Sequence, residues 1–179
     1  MNDDSSGTAD LSVAPSGHID PVLASWASGM VARLPDGTQL PPHSERCLGC
    51  GPANPHGHHL EVHRDGERVV AAHTFDDRHV GAPGIAHGGA VATVFDDLFG
   101  FLLFTIGELA VTRSLNVDYV APVRLGTAYT VTASLDRSEG RRLYVSAHLR
   151  RPDGTEIATA TALFMTVTID HFVRALEQP

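Results

Sequence analysis

The sequence predicts an α+β fold in which one long helix lies against an antiparallel sheet of five to six strands. Three observations predict it. The apolar segment from about Gly88 to Ile106 is too long for a strand, and Gly107 is placed to end it as a helix. "HLEVHRDGERVVAAHTF" (59–75) reads as two extended runs around a D-G turn at Arg64-Asp65-Gly66-Glu67. Everything after the helix alternates with a period of two.

The elements follow in order. Residues 1–17 are small, polar and acidic, a composition that predicts disorder. "IDPVLASWASGMVARL" (19–34) spaces Val22, Leu23, Trp26, Met30 and Leu34 for a short amphipathic helix, with Pro21 in its first turn. Residues 1–40 are therefore expected to be an N-terminal extension and 41–179 the main domain. The Pro/Gly/His-rich stretch before Leu60 reads as irregular. After the helix, "TRSLNVDYVAPV" (112–123) is closed by Pro122. "TAYTVTASLDR" (127–137) and "RLYVSAHLRR" (142–151) meet at Ser138-Glu139-Gly140. "TEIATATALFMTVTI" (155–169) follows the Pro152-Asp153-Gly154 turn.

Composition narrows the function. A net charge of −8, with no basic stripe, argues against nucleic-acid binding. All 13 cationic residues are Arg, so a Lys Schiff base and a P-loop Lys are both excluded. Asp96, Asp97, Gly107 and Glu108 interrupt the best candidate for a membrane span, and "MNDDSSGTAD" lacks the charge and apolar pattern of a signal peptide. A cytoplasmic location without membrane partners is the expectation. Cys47 and Cys50 form a C-x₂-C pair, and His43, His56, His58, His59 and His63 lie nearby. Their spacing completes no recognised zinc pattern, so no metal is expected and the pair reads as a tight turn with small buried thiols.

The chemistry concentrates in "GAPGIAHGGAVATVFDDLFGFLLF" (81–104). Gly88 and Gly89 fall at the helix start, where unpaired N–H groups and the helix dipole can stabilise an oxyanion, and His87 is placed to orient the same group. Asp96 sits among Val94, Phe95, Leu98 and Phe99, a setting that raises a carboxyl group and suits a general base. Asp97 reads as an exposed helix acid. Gly88 and Asp96 are eight residues apart in the sequence, about 12 Å along a helix, too far to act on one carbonyl. If both are catalytic, a second subunit must bring its Asp96 to the first subunit's Gly88. A helix apolar nearly all round also asks for cover beyond one sheet, which points again to a second subunit.

"GAPGIAHGGAVATVFDD" followed by "AVTRSLNVDYVAPV" resembles the hotdog-fold acyl-CoA thioesterases of the PaaI type, in the 4-hydroxybenzoyl-CoA thioesterase superfamily. The likeness runs from about Cys47 to Val167 and rests on H-G-G-x₆-D together with A-V-T and Y-V-x-P-V. It implies a sheet wrapped around one central helix, and active sites at the interface of a homodimer, with tetramers as dimers of dimers. It implies that Gly88 polarises the thioester carbonyl of an acyl-CoA, with His87 shaping the hole. Asp96 of the other subunit acts as general base or nucleophile, and Thr112 hydrogen-bonds the water or the carboxylate. No cofactor is implied. Gly89, Phe95 and Phe99 are the expected substrate contacts, with Arg113 and Arg124 chosen for the CoA phosphates from a set that includes Arg141 and Arg142. Many PaaI-type enzymes carry an Asn six residues before this histidine, where Gly81 stands here.

Three alternatives stay open. One is an acyl-carrier-protein thioesterase, and another a non-catalytic hotdog module that binds acyl thioesters. The third is a hotdog dehydratase using His79 as base, which finds Thr93 where its helical acid should be.

Overall fold

A computed structural model of the chain describes residues 34–171 and 174. The predicted extension before residue 34, with its amphipathic helix, lies outside the described residues. Strands β1 (Val62–Asp65), β2 (Arg68–Thr74), β6 (Ala128–Glu139), β7 (Arg142–Arg150), β8 (Glu156–Thr166) and β5 (Ala110–Tyr119) form one antiparallel sheet in that order. Helix α1 (Gly88–Ile106) packs across it, and a small hairpin, β3 (Val80–Ala82) with β4 (Ile85–Ala86), leads into the helix. This is the α+β arrangement the sequence predicts. The hairpin and the 3₁₀ turn Asp77–His79 went unpredicted, because segments of two or three residues carry no measurable period.

Alternation settles which faces meet. Val69, Ala71 and His73 of β2, Tyr129, Val131 and Ala133 of β6, and Leu143, Val145, Ala147 and Leu149 of β7 all point into the core. Ala71 pairs with Val131 and Val131 with Leu149, so the inward rows line up across the sheet. Against them α1 buries Val91, Val94, Phe95, Leu98, Phe99 and Leu102. Gly107 ends the helix at φ 71°, where its N–H reaches the Leu103 and Phe104 carbonyls.

Two sequence expectations about α1 need correction. By length and composition this helix is apolar enough to cross a membrane, because two acids in 19 residues are too few to disqualify it. It is instead the core helix of this domain, buried against the sheet. Nor is its far side left entirely for a second subunit. Residues 41–60 of the same chain fold over it: the His43 ring lies 4.2 Å from the Phe101 ring and 4.8 Å from Phe104. Cys50 and Leu60 join the same core. A Pro/Gly-rich segment carries no periodicity from which that packing could be read.

Residues 37–40 run beside β1, with Leu40 N–H donating to the Val62 carbonyl at 2.8 Å and the Leu40 side chain in the core. At the other side of the sheet β5 is an edge strand of ten residues.

Candidate active site

The start of α1 is built by His87. As N-cap residue it turns its ring back so that Nδ1 accepts the Gly89 N–H at 2.9 Å, while its carbonyl accepts from Ala90 and Val91. Of the first four helical N–H groups, Gly88's alone has no partner among the described residues. The cap thus consumes the Gly89 amide and leaves the Gly88 amide free at the positive end of the helix dipole. The two adjacent glycines, equivalent in the sequence, are distinct in the structure.

Tyr119, at the end of β5, lies over the same turn. Its hydroxyl donates to the Gly88 carbonyl at 2.6 Å, and partial burial shifts that hydroxyl above its ordinary value. An apolar cavity of about 410 Å³ opens here between Ile85, Gly88, Val91, Tyr119 and Pro122. The sequence reading did not single out Tyr119 for the site. The signal lay in the Y-V-x-P-V string already quoted, but which side of β5 meets the helix start is a matter of register.

Gly81 has a physical reason. A Cβ there would sit 2.6 Å from the His87 Cα, because β3 passes directly over the turn that holds the cap. An Asn at this position does not fit the hairpin as it stands.

Two turns along α1, the Thr112 hydroxyl donates to Asp96 Oδ1 at 2.9 Å. The pair faces a cavity of about 470 Å³ that Gly89, Thr93 and Leu115 also line. Asp96 is half-buried, and the deep burial that the sequence reading gave it belongs to Asp97. The Asp97 side chain is only 7% exposed. Its Oδ1 lies 2.9 Å from His43 Nδ1, and the Cys47 thiol donates to the same oxygen at 3.1 Å. Burial pushes the Asp97 carboxyl up, against the pull of His43. Burial alone would lower His43, but its hydrogen bonds to Asp97 and Cys47 prevail and raise it to about 9. Adjacent helix positions differ by about 100° in direction, and the sequence could not show which of the two faced the 41–60 segment.

The remaining candidates scatter. Phe95 and Phe99 are fully buried in the core, Phe99 edge-on to Phe164, and neither lines the cavity beside Asp96. Arg113 is exposed and is the extra residue of a bulge in β5, between the Thr112–Phe164 and Ser114–Leu163 pairs. Arg124 is exposed and bridges to Ile85, a lining residue of the cavity beside Gly88. His79 is buried behind the helix start, stacked on His58 at 4.0 Å, with its Nδ1 accepting the Asp76 N–H.

A sheet wrapped around one helix, with a capped H-G-G start, places the chain among known proteins. The family model described as "Thioesterase superfamily" matches residues 83–158, the stretch from the hairpin turn into the start of β8. That stretch is similar to the superfamily, and the fold is the hotdog fold of the solved structures below. Its hotdog domain resembles the acyl-coenzyme A thioesterase THEM4 of Rattus norvegicus, 40% identical over 91 residues, which cover 50% of this chain and 39% of the relative. The chain thus spans well under half the length of that curated relative. Among solved structures, a thioesterase superfamily protein matches with TM-score 0.65 and 24% identity over 68% of this chain and 60% of the other. The PaaI protein of E. coli, from the phenylacetic acid degradation operon, matches with TM-score 0.58 and 16% identity, covering 62% and 81%. The hotdog fold expected from H-G-G-x₆-D together with A-V-T and Y-V-x-P-V is therefore the fold observed.

Proposed function

We propose that the hotdog domain hydrolyses acyl-CoA thioesters, with one site built from two copies of the chain. The observation that carries this is the single free amide at Gly88, set on the same helix as the Thr112-bound carboxylate of Asp96 but in a separate cavity. Eight residues of helix hold them about 12 Å apart, so one chain cannot apply both to one carbonyl. A homodimer with antiparallel helices brings Asp96 of one copy to Gly88 of the other. The ten-residue edge of β5 supports such pairing, since an uncovered edge offers a row of backbone donors and acceptors to a second copy. That edge carries Thr112 and Tyr119, the partners of the two candidate groups.

The thioester carbonyl oxygen accepts the Gly88 N–H, and negative charge developing there falls at the helix N-terminus. Asp96 takes a proton from water as the oxygen attacks the carbonyl carbon. The tetrahedral intermediate collapses with cleavage of the C–S bond, and the departing thiolate takes the proton from Asp96. The products are a carboxylic acid and CoA. The name of the THEM4 relative supports this choice of substrate. Thr112 fixes the carboxylate that receives the proton.

The test is thiol release from a panel of acyl-CoAs, short, long and aromatic, with wild type and Asp96→Asn. Asparagine keeps an acceptor for Thr112 but cannot take the proton. A loss of about 10²-fold or more in kcat with dimer and fold intact is expected. Equal turnover by both proteins would remove Asp96 from the mechanism.

A further inference from the structure

We infer that Cys47, Cys50, His43 and Asp97 form a tetrahedral zinc site that ties the 41–60 segment to helix α1. The chain supplies from a distance the two ligands that the C-x₂-C spacing alone does not complete: His43 lies four residues before Cys47, and Asp97 comes from the helix. All four donor atoms lie within 4.8 Å of one another. His43 Nδ1 is 2.9 Å from Asp97 Oδ1 and 3.2 Å from Cys50 Sγ, and Asp97 Oδ1 is 3.1 Å from Cys47 Sγ. One nitrogen and one oxygen each face two neighbours, so their lone pairs converge on a common centre that single protons serve poorly. Zinc bonds of about 2.0–2.3 Å put tetrahedral ligand atoms roughly 3.3–3.8 Å apart, so these three contacts need open by only a few tenths of an ångström to receive the ion.

Independent features of the backbone support the assignment. A Cβ at Gly49 would lie 2.1 Å from the Asp97 Cγ, and one at Gly51 would lie 2.4 Å from the Cys47 N. The turn is closed so tightly on the carboxylate that only glycine fits. The His43 backbone N–H donates to Cys50 Sγ at 3.2 Å, the kind of outer contact that steadies a metal-bound thiolate. Asp97 Oδ2 is buried and has no hydrogen-bond partner among the described residues, an arrangement that is costly for a carboxylate unless a cation stands beside it. Two sulfurs, one imidazole and one carboxylate suit zinc in closed four-coordination, with no position left for water, which makes the role structural.

Position gives the site its consequence. Cys47 and Asp97 line the same cavity as Asp96, so the ion would fix the wall against which the candidate carboxylate works. The inference itself does not depend on the reaction assigned to that cavity.

The full chain expressed with zinc, and separately in cobalt-supplemented minimal medium, tests this. Wild type is expected to hold about one zinc per chain, and the cobalt form to show thiolate-to-metal charge-transfer absorption with tetrahedral visible bands. Both signals should be lost in Cys47→Ser and the zinc content lowered in Asp97→Asn. If a variant does not fold, the wild-type cobalt spectrum still decides. Metal-free wild type with both thiols open to alkylation or joined in a disulfide would overturn the inference. So would cobalt bound without charge-transfer absorption, which would place the ion at the buried trio His58, His73 and His79.

Discussion

Asp96 and Asp97 are neighbours on α1 with no partner in common: Asp96 receives the Thr112 hydroxyl, whereas Asp97 is held by His43 and Cys47 from a segment some fifty residues earlier. One acid faces the candidate chemistry and the other anchors the loop that walls it. Substitutions at the two positions should therefore fail differently. Asp96→Asn should lose turnover and keep its melting temperature. Asp97→Asn should lower the melting temperature first, because it weakens contacts among buried groups. Paired thermal and kinetic measurements check this, and equal melting losses in both would contradict it.

Thr112→Val should lower kcat by about 10-fold or more, since a hydrogen bond to a charged group contributes roughly 1.5–3 kcal/mol. Thr112→Ser keeps the hydroxyl and should recover most of the rate. A rate unchanged in Thr112→Val would show that the bond to Asp96 Oδ1 does not position the carboxylate.

His87→Ala removes the side chain that accepts the Gly89 N–H. Loss of an N-cap costs about 1 kcal/mol, or roughly 2–4 °C in Tm for a chain of this size. His87→Asn restores a capping acceptor and should recover the Tm. If His87→Ala melts with wild type, the cap does not stabilise α1.

Gly81→Ala should destabilise the chain by more than a surface change, through the 2.6 Å approach of its Cβ to the His87 backbone. Gly81→Asn, which introduces the residue of the PaaI pattern, should be worse still. Thermal melts of both variants decide the point, and wild-type stability in Gly81→Asn would show that the hairpin yields.

Acid should weaken the fold through the buried histidines. Burial holds His58 down to about 3 and His73 to about 4, with their like-charged neighbours adding to the effect. The unfolded chain, with ordinary histidines near 6.5, then binds more protons between about pH 4 and 6.5, so stability falls as pH drops through that window and is level above it on their account. Melts at pH 7, 6 and 5 should show a steep fall in wild type and a shallower one in the double variant His58→Gln, His73→Gln. A slope unchanged in the double variant would assign acid sensitivity to other groups.

The long helix, the D-G hairpin and the four later strands were legible because period and turn residues are local properties of the chain. The H-G-G-x₆-D string located the helix start and its acid, and Thr112 proved to reach that acid. Three things were decided only in three dimensions. The His87 ring chose Gly88 over Gly89 as the free donor, because only the folded cap shows which amide is consumed. Burial fell on Asp97 rather than Asp96, because the cover on that side of α1 comes from an aperiodic loop. The Cys47–Cys50 pair acquired His43 and Asp97, because ligands converge by backbone path and not by spacing. Sequence fixes which groups a chain carries and its local periods, while long-range packing, which leaves no local period, sets which groups meet.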